Sequence, residues 1–198
     1  RGAGNLLGAE QSGFITDMGF ETYQKILAEA MEELGVETGI VTRSSNDNYI
    51  VDCTIETDQL ALIPDSYIDL TAEKIRIYKE LDSISNEKDL EIMRGKLTDR
   101  FGKIPVELER LFDIVKIRQL GVKLGFEKII IKNGVLIAFF ILNPLSQYYK
   151  SDKFSKVLEN ISMHPQIFEI KQPDNRLRIV ARNIDSISKA FSVLKKLQ

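Results

Sequence analysis

Cysteine is nearly absent from this chain of 198 residues: Cys53 is the only one. A lone thiol excludes an intrachain disulfide scaffold and any CxxC metal site. Histidine is as scarce, with His164 alone, so a structural zinc would lack soft ligands. Long apolar runs are missing too. The longest, Val135–Leu142, has eight residues, where a membrane-spanning helix needs about 20. No secretory signal opens the chain, because residues 1–13 are glycine-rich and not apolar. The sequence starts at Arg1, without a methionine and inside that glycine-rich stretch, and so reads as a fragment of something larger. The expectation is a cytoplasmic protein with no membrane contact and no metal site.

What is present is a globular composition, 43% hydrophobic and 28% charged, long enough to bury a sizeable core. The net charge of -2 argues against a generic basic nucleic-acid module. It also conceals a split. Residues 1–100 carry 10 basic and 20 acidic side chains, net -10, while residues 101–198 carry 17 and 9, net +8. Such asymmetry implies halves that pack together, or partners of opposite sign.

Four glycines make residues 1–13 (RGAGNLLGAEQSG) a loop, and Thr16 or Asp17 can cap a helix over about 17–34. Phe20, Tyr23, Leu27, Ala30, Met31 and Leu34 form its apolar stripe. Residues 35–49 lack periodicity and read as a linker. Val51, Cys53 and Ile55 then alternate with polar residues, the pattern of a half-buried strand. Helices are expected over about 71–84, from Asn86 to Gly102, and from Pro105 to Gly125. In the third, Leu108, Phe112, Val115 and Val122 would point inward. Asn133-Gly134 between Phe126–Lys132 and Val135–Leu142 is a strong hairpin signal. A helix near 151–162, strands at 166–171 and 176–181, and a closing helix near 184–197 complete the pattern. The predicted class is α+β: a helical segment, then a mixed domain of antiparallel hairpins packed with helices. The domains are residues 1–50 and 51–198.

Glycines 2, 4 and 8 give GxGxxxG, one residue off the dinucleotide fingerprint and with no strand before it. The Gly-Lys pairs are followed by Leu97 and Ile104, where a phosphate loop needs Ser or Thr. The chain therefore carries no nucleotide cradle of its own, and no catalytic residue or bound cofactor is expected in it.

Three segments nevertheless carry a resemblance. RGAGNLLGAEQSG is similar to the translocation loop shared by bacterial RecG and the transcription-repair coupling factors. IPDSYI at 63–68 and DRFGKIP at 99–105, with the α+β tail, resemble the C-terminal domain of the latter family only. The resemblance implies an ATP- and Mg-dependent double-stranded DNA translocase that displaces stalled RNA polymerase and recruits the excision-repair protein UvrA. It makes residues 1–50 the loop, helix and linker ending a RecA-like motor lobe. Arg1 and Gln11 would couple hydrolysis to movement, with Gly2, Gly4, Gly8 and Gly13 letting the loop bend. Residues 51–198 would be a regulatory domain that masks the UvrA-binding face of an N-terminal UvrA-like module in the same protein.

For that contact the residues themselves offer an acidic stretch, Asp52, Glu56, Asp58, Asp65 and Asp69, which can meet basic groups on a partner or simply form a solvated edge. Lys116, Arg118, Lys123, Lys128, Lys132, Arg176, Arg178 and Arg182 fit phosphate backbones, but without aromatic interleaving an ordinary solvated face explains them as well. His164, before Pro165, reads as a cap, Cys53 as a small core residue, and Asp99-Arg-Phe-Gly102 as a helix end. The competing reading is a stand-alone interaction or nucleic-acid-binding α+β module with an incidental glycine-rich arm.

Overall fold

The computed structural model describes residues 49–173 and 176–198. The glycine-rich loop, the helix expected over 17–34 and the linker up to residue 48 lie outside the described residues, as do Arg1, Gln11 and the four loop glycines. The described part falls into two compact units, residues 60–111 and residues 49–59 with 112–198.

Residues 60–111 are helical. The chain makes α1 (Thr71–Ser83), α2 (Glu87–Phe101) and the first turns of α3 (Val106–Leu124). Local chemistry sets the boundaries. Asn86 caps α2 by accepting from the Asp89 N–H at 2.9 Å, and Gly102 ends it at φ +85°. The Pro105 carbonyl, whose residue has no N–H to waste, receives the Leu108 and Glu109 N–H groups that start α3. Ile77, Leu81, Leu90, Met93, Leu97, Leu108 and Leu111 are buried. The segment 63–68 is knitted in at three points. The Ile63 N–H donates to Tyr78 Oη at 3.0 Å. The Pro64 carbonyl accepts from Tyr67 and Ile68. Tyr67 Oη donates to the Leu97 carbonyl at 3.0 Å.

The second unit is built on a five-stranded sheet of order β1-β2-β3-β5-β4. Its strands are β1 (Thr54–Thr57), β2 (Phe126–Lys132), β3 (Val135–Phe140), β4 (Phe168–Lys171) and β5 (Arg178–Arg182). All neighbours are antiparallel except β1 and β2, which are parallel. Only a long crossover can join a parallel pair, and here α1, α2 and α3 supply it. The β2–β3 turn has Asn133 at φ 52° and Gly134 at φ 71°, the left-handed pair that a two-residue hairpin requires. α4 (Asp152–Met163) and α5 (Ile187–Leu194) begin at Ser151 and Ser186, whose side chains accept N–H bonds from Phe154 and Lys189. Ile129, Leu136, Ala138, Phe140, Ile179 and Ala181 face one way and are fully buried. Phe154 of α4 packs edge-on to Phe140 there, ring centroids 5.6 Å apart.

The α+β class stands, with differences in detail. β3 ends at Phe140 and β5 spans Arg178–Arg182, against the expected 135–142 and 176–181. Val51 is 73% exposed and precedes β1, so only Cys53 and Ile55 of the alternating trio point inward. β4 starts at Phe168 because Ile167 and Phe168 both donate to the His164 carbonyl, tying 164–167 into a turn. The closing helix stops at Leu194 and tightens into a 3-10 turn over Lys195–Leu197. Finally, α3 is buried on more than one face: Leu111, Ile114, Ile117, Leu120 and Leu124 join Leu108, Phe112 and Val115, while Val122, expected inward, is only half-buried. One-face periodicity fails for such a central helix.

Candidate interaction surfaces

The five acidic residues singled out in sequence divide between the two units: Asp52, Glu56 and Asp58 lie in the sheet unit, Asp65 and Asp69 in the helical one. Four of them are engaged within the chain. Asp52 takes a two-pronged ion pair from Arg118, with Nη2 at 3.0 Å from Oδ2. Glu56 receives Lys128 at 2.5 Å and Lys132 at 3.0 Å. Hydrogen bonds from Lys128 and then Lys132 hold its carboxyl below the usual range. Asp58 accepts the Asn133 N–H at 2.7 Å, pinning the hairpin turn. Asp65 pairs with Lys74. Asp69 is exposed and bonds to no other side chain among the described residues.

Lys74 is 5% exposed, whereas the Asp65 side chain is 45% exposed. The pair is therefore partly screened. Asp65→Ala leaves the ammonium buried without its carboxylate and is expected to cost about 1–3 kcal/mol in urea unfolding. Asp69→Ala is expected to stay within about 0.5 kcal/mol.

The basic residues also divide. Lys116, Arg118 and Lys123 lie on α3. Lys116 sits beside Asp113 and over the Phe191 ring. The others gather on the side of the sheet opposite the buried face. Arg176 and Arg178 sit over the Phe139 ring at 4.7 and 5.8 Å from its centroid. Both Nε atoms are buried without an acceptor among the described residues. Arg182 and Lys171 share Glu169, whose carboxyl is held low first by the Lys171 hydrogen bond and then by that of Arg182.

Reading the sequence named most of these cations. It missed Lys171 and the apolar row between them, Ile130, Ile137 and Val180, brought abreast by register. The signal available was the alternation on both sides of Asn133-Gly134: in either strand, every second residue shares this face.

Burial lifts the Cys53 thiol far above its usual pKa, with Asp52 adding to the effect. It is 1% exposed, a core residue as expected. His164 caps α4, its N–H donating to the Ile161 carbonyl at 3.1 Å. Gly95 lies inside α2 and Gly102 is its C-cap. Neither Gly-Lys pair therefore opens a helix, where backbone N–H groups cradle phosphate. No helix among the described residues is long and apolar enough to cross a membrane.

The TRCF domain model matches residues 57–151. The transcription-repair-coupling factor of Rickettsia prowazekii (strain Madrid E) is 33% identical over 186 residues, 93% of this chain. That of Staphylococcus epidermidis is 40% identical over 144 residues, 73% of the chain. These alignments span only 15% and 12% of the relatives' own lengths. A crystal structure of the C-terminal domain of transcription-repair coupling factor shares the fold at TM-score 0.62 and 20% identity, covering 74% of this chain and 89% of that one. Domain model, relatives and fold agree on one assignment: the chain belongs to the transcription-repair-coupling factor family.

Proposed function

We propose that this chain is the C-terminal part of an ATP-dependent double-stranded DNA translocase acting in transcription-coupled repair. The whole protein displaces stalled RNA polymerase at lesions and recruits UvrA to begin nucleotide-excision repair in the cytoplasm. The observation that carries the reading is the alignment with transcription-repair-coupling factors over 93% of the chain. ATP and Mg belong to motor lobes outside it. Within the chain, Arg1 and Gln11 on the glycine-rich loop couple hydrolysis to movement. Residues 51–198 regulate, covering the UvrA-binding face of the N-terminal UvrA-like module until the motor engages.

The geometry narrows the acidic contact. Asp52, Glu56, Asp58 and Asp65 hold the chain's own structure together, so reversing their charge would damage the fold before it tested a partner. Asp69, exposed beside exposed Leu70 and bonded to no side chain among the described residues, is the carboxylate placed to meet an external cation. Deleting residues 51–198 from the full-length protein is expected to raise UvrA affinity about tenfold or more, a coupling ordinary for regulatory contacts. Asp69→Arg is expected to recover part of that gain. Pull-down and calorimetric titration with UvrA decide it. Equal affinity with and without residues 51–198 would remove the masking role; a gain on deletion but none with Asp69→Arg would remove Asp69 only.

A further inference from the structure

We infer that the face of the sheet opposite Phe140, on which no helix among the described residues packs, docks an acidic amphipathic helix of a partner polypeptide. The register lays the face out as three rows running across the strands. The middle row is apolar, Ile130, Ile137 and Val180, with Glu56 at the β1 end and Glu169 at the β4 end. One flanking row is Lys128, Phe139, Arg178 and Lys171. The other is Lys132, Val135 and Arg182. Ile130, Ile137, Val135 and Phe139 are half-buried, Val180 between the flanking cations is 6% exposed, and Phe154 of α4 packs on the other face beside Phe140.

The spacing selects the occupant. Side chains two apart on a strand stand about 6.7 Å apart, so the basic rows are separated by about 13 Å with the apolar row between them. An α-helix with side chains is about 10–12 Å across. Laid along the apolar row, it would sink an i, i+3, i+4, i+7 seam onto Ile130 and Ile137, with both flanks over cations. From β1 to β4 is about 19 Å, four strand spacings, matched by about 13 helical residues.

Charge agrees. Lys128, Lys132, Lys171, Arg176, Arg178 and Arg182 face Glu56, Glu127 and Glu169. Arg178 has no carboxylate among the described residues. Residues 49–59 and 112–198 together carry 15 basic and 10 acidic side chains, net +5. That excess draws carboxylates and opposes face-to-face pairing of two copies. Single-stranded nucleic acid would want aromatic platforms. Here there is one, Phe139, and Arg176 already lies over it.

This inference stands apart from the masking role and is tested on the 198-residue chain. The probe is a fluorescein-labelled 14-residue peptide with leucines at three- and four-residue steps and glutamates on both flanks. Anisotropy titration in low salt is expected to saturate. Ile137→Gln, which keeps the charge, and Arg178→Glu are each expected to weaken binding about tenfold, in chains still folded by circular dichroism at the titration temperature. Lys123→Glu, away from the face, is expected to change nothing. Replacing the peptide's leucines by serine tests the seam without altering the protein. No binding up to about 1 mM would overturn the inference, as would serine peptide binding like leucine peptide, or affinity unaffected by Ile137→Gln. Displacement of the peptide by a 20-base-pair duplex at lower concentration would reassign the face to nucleic acid. A dimer dissolved by Arg178→Glu would reassign it to a second copy.

Discussion

Gly125→Ala is expected to destabilise the chain by about 3 kcal/mol or more, although it adds a single methyl group. Gly125 follows α3 at φ +83°, in the left-handed position where a helix ends. A Cβ there costs about 1–2 kcal/mol on its own. It would also stand 2.3 Å from Cε2 and Cζ of Tyr148. Those atoms cannot retreat. Tyr148 is fully buried, its Oη donates to the Leu124 carbonyl, and its ring is flanked by Phe154 and Tyr149 at centroid distances of 5.3 and 5.4 Å. Displacing it adds about 1–3 kcal/mol of overpacking. Urea unfolding of a double-mutant cycle checks the division: Tyr148→Ala costs about 3–5 kcal/mol alone, but in its presence Gly125→Ala should lose the steric share and keep only the backbone one. A cost below about 1 kcal/mol for Gly125→Ala in the wild-type background would refute this account.

Gly121→Ala is the second large effect, and its sign opposes helix propensity. In an exposed helix interior, alanine for glycine gains about 1 kcal/mol. At 121 the new Cβ would meet Cys53 Sγ at 2.5 Å, Cys53 Cβ at 3.1 Å and Ile129 Cδ1 at 3.2 Å. The net loss should be about 2 kcal/mol. Cys53→Ala removes the closest of the three atoms, so Gly121→Ala in that background should be close to neutral. A coupling of about 2 kcal/mol in the cycle is the expected reading, and additive losses would exclude the Sγ contact as cause. Thiol labelling gives an independent readout. Native Cys53, protonated and covered, should resist alkylation, and Gly121→Ala should speed it.

These two glycines mark where reading the sequence stopped short. Turn chemistry was legible because it is local: Asn86, Gly102 and Asn133-Gly134 announced their roles by type and spacing. So were the class, the helices and most core positions. Gly121 looked like any weak helix residue, because its constraint is Cys53, far away along the chain. The same holds for the acidic stretch. Its members lie within 18 residues of one another, yet Arg118 claims Asp52, Lys128 and Lys132 share Glu56, the Asn133 backbone claims Asp58 and Lys74 claims Asp65; the first three of these carboxylates are placed by the parallel register of β1 and the approach of α3. The apolar row on the sheet needed the register of four strands at once. The glycine-rich loop carries its signal in residue identity, which resemblance can read and physical chemistry alone cannot.

The parallel pairing of β1 with β2 makes the sheet unit discontinuous in sequence: its edge strand is written before the helical insertion and its remaining strands after it. A chain trimmed to begin at residue 60 would keep every helix among the described residues yet turn β2 from an inner strand into an outer one, baring a row of unpaired N–H and C=O groups beside Ile129 and Ile131. It would also remove Asp52 and Glu56, the carboxylates that pair with Arg118, Lys128 and Lys132. Synthesis meets the same constraint in time. A ribosome releases β1 with nothing to pair against until Phe126 has emerged, so closure of the sheet is a late, long-range event, and the helical insertion has the opportunity to fold while its host is still incomplete.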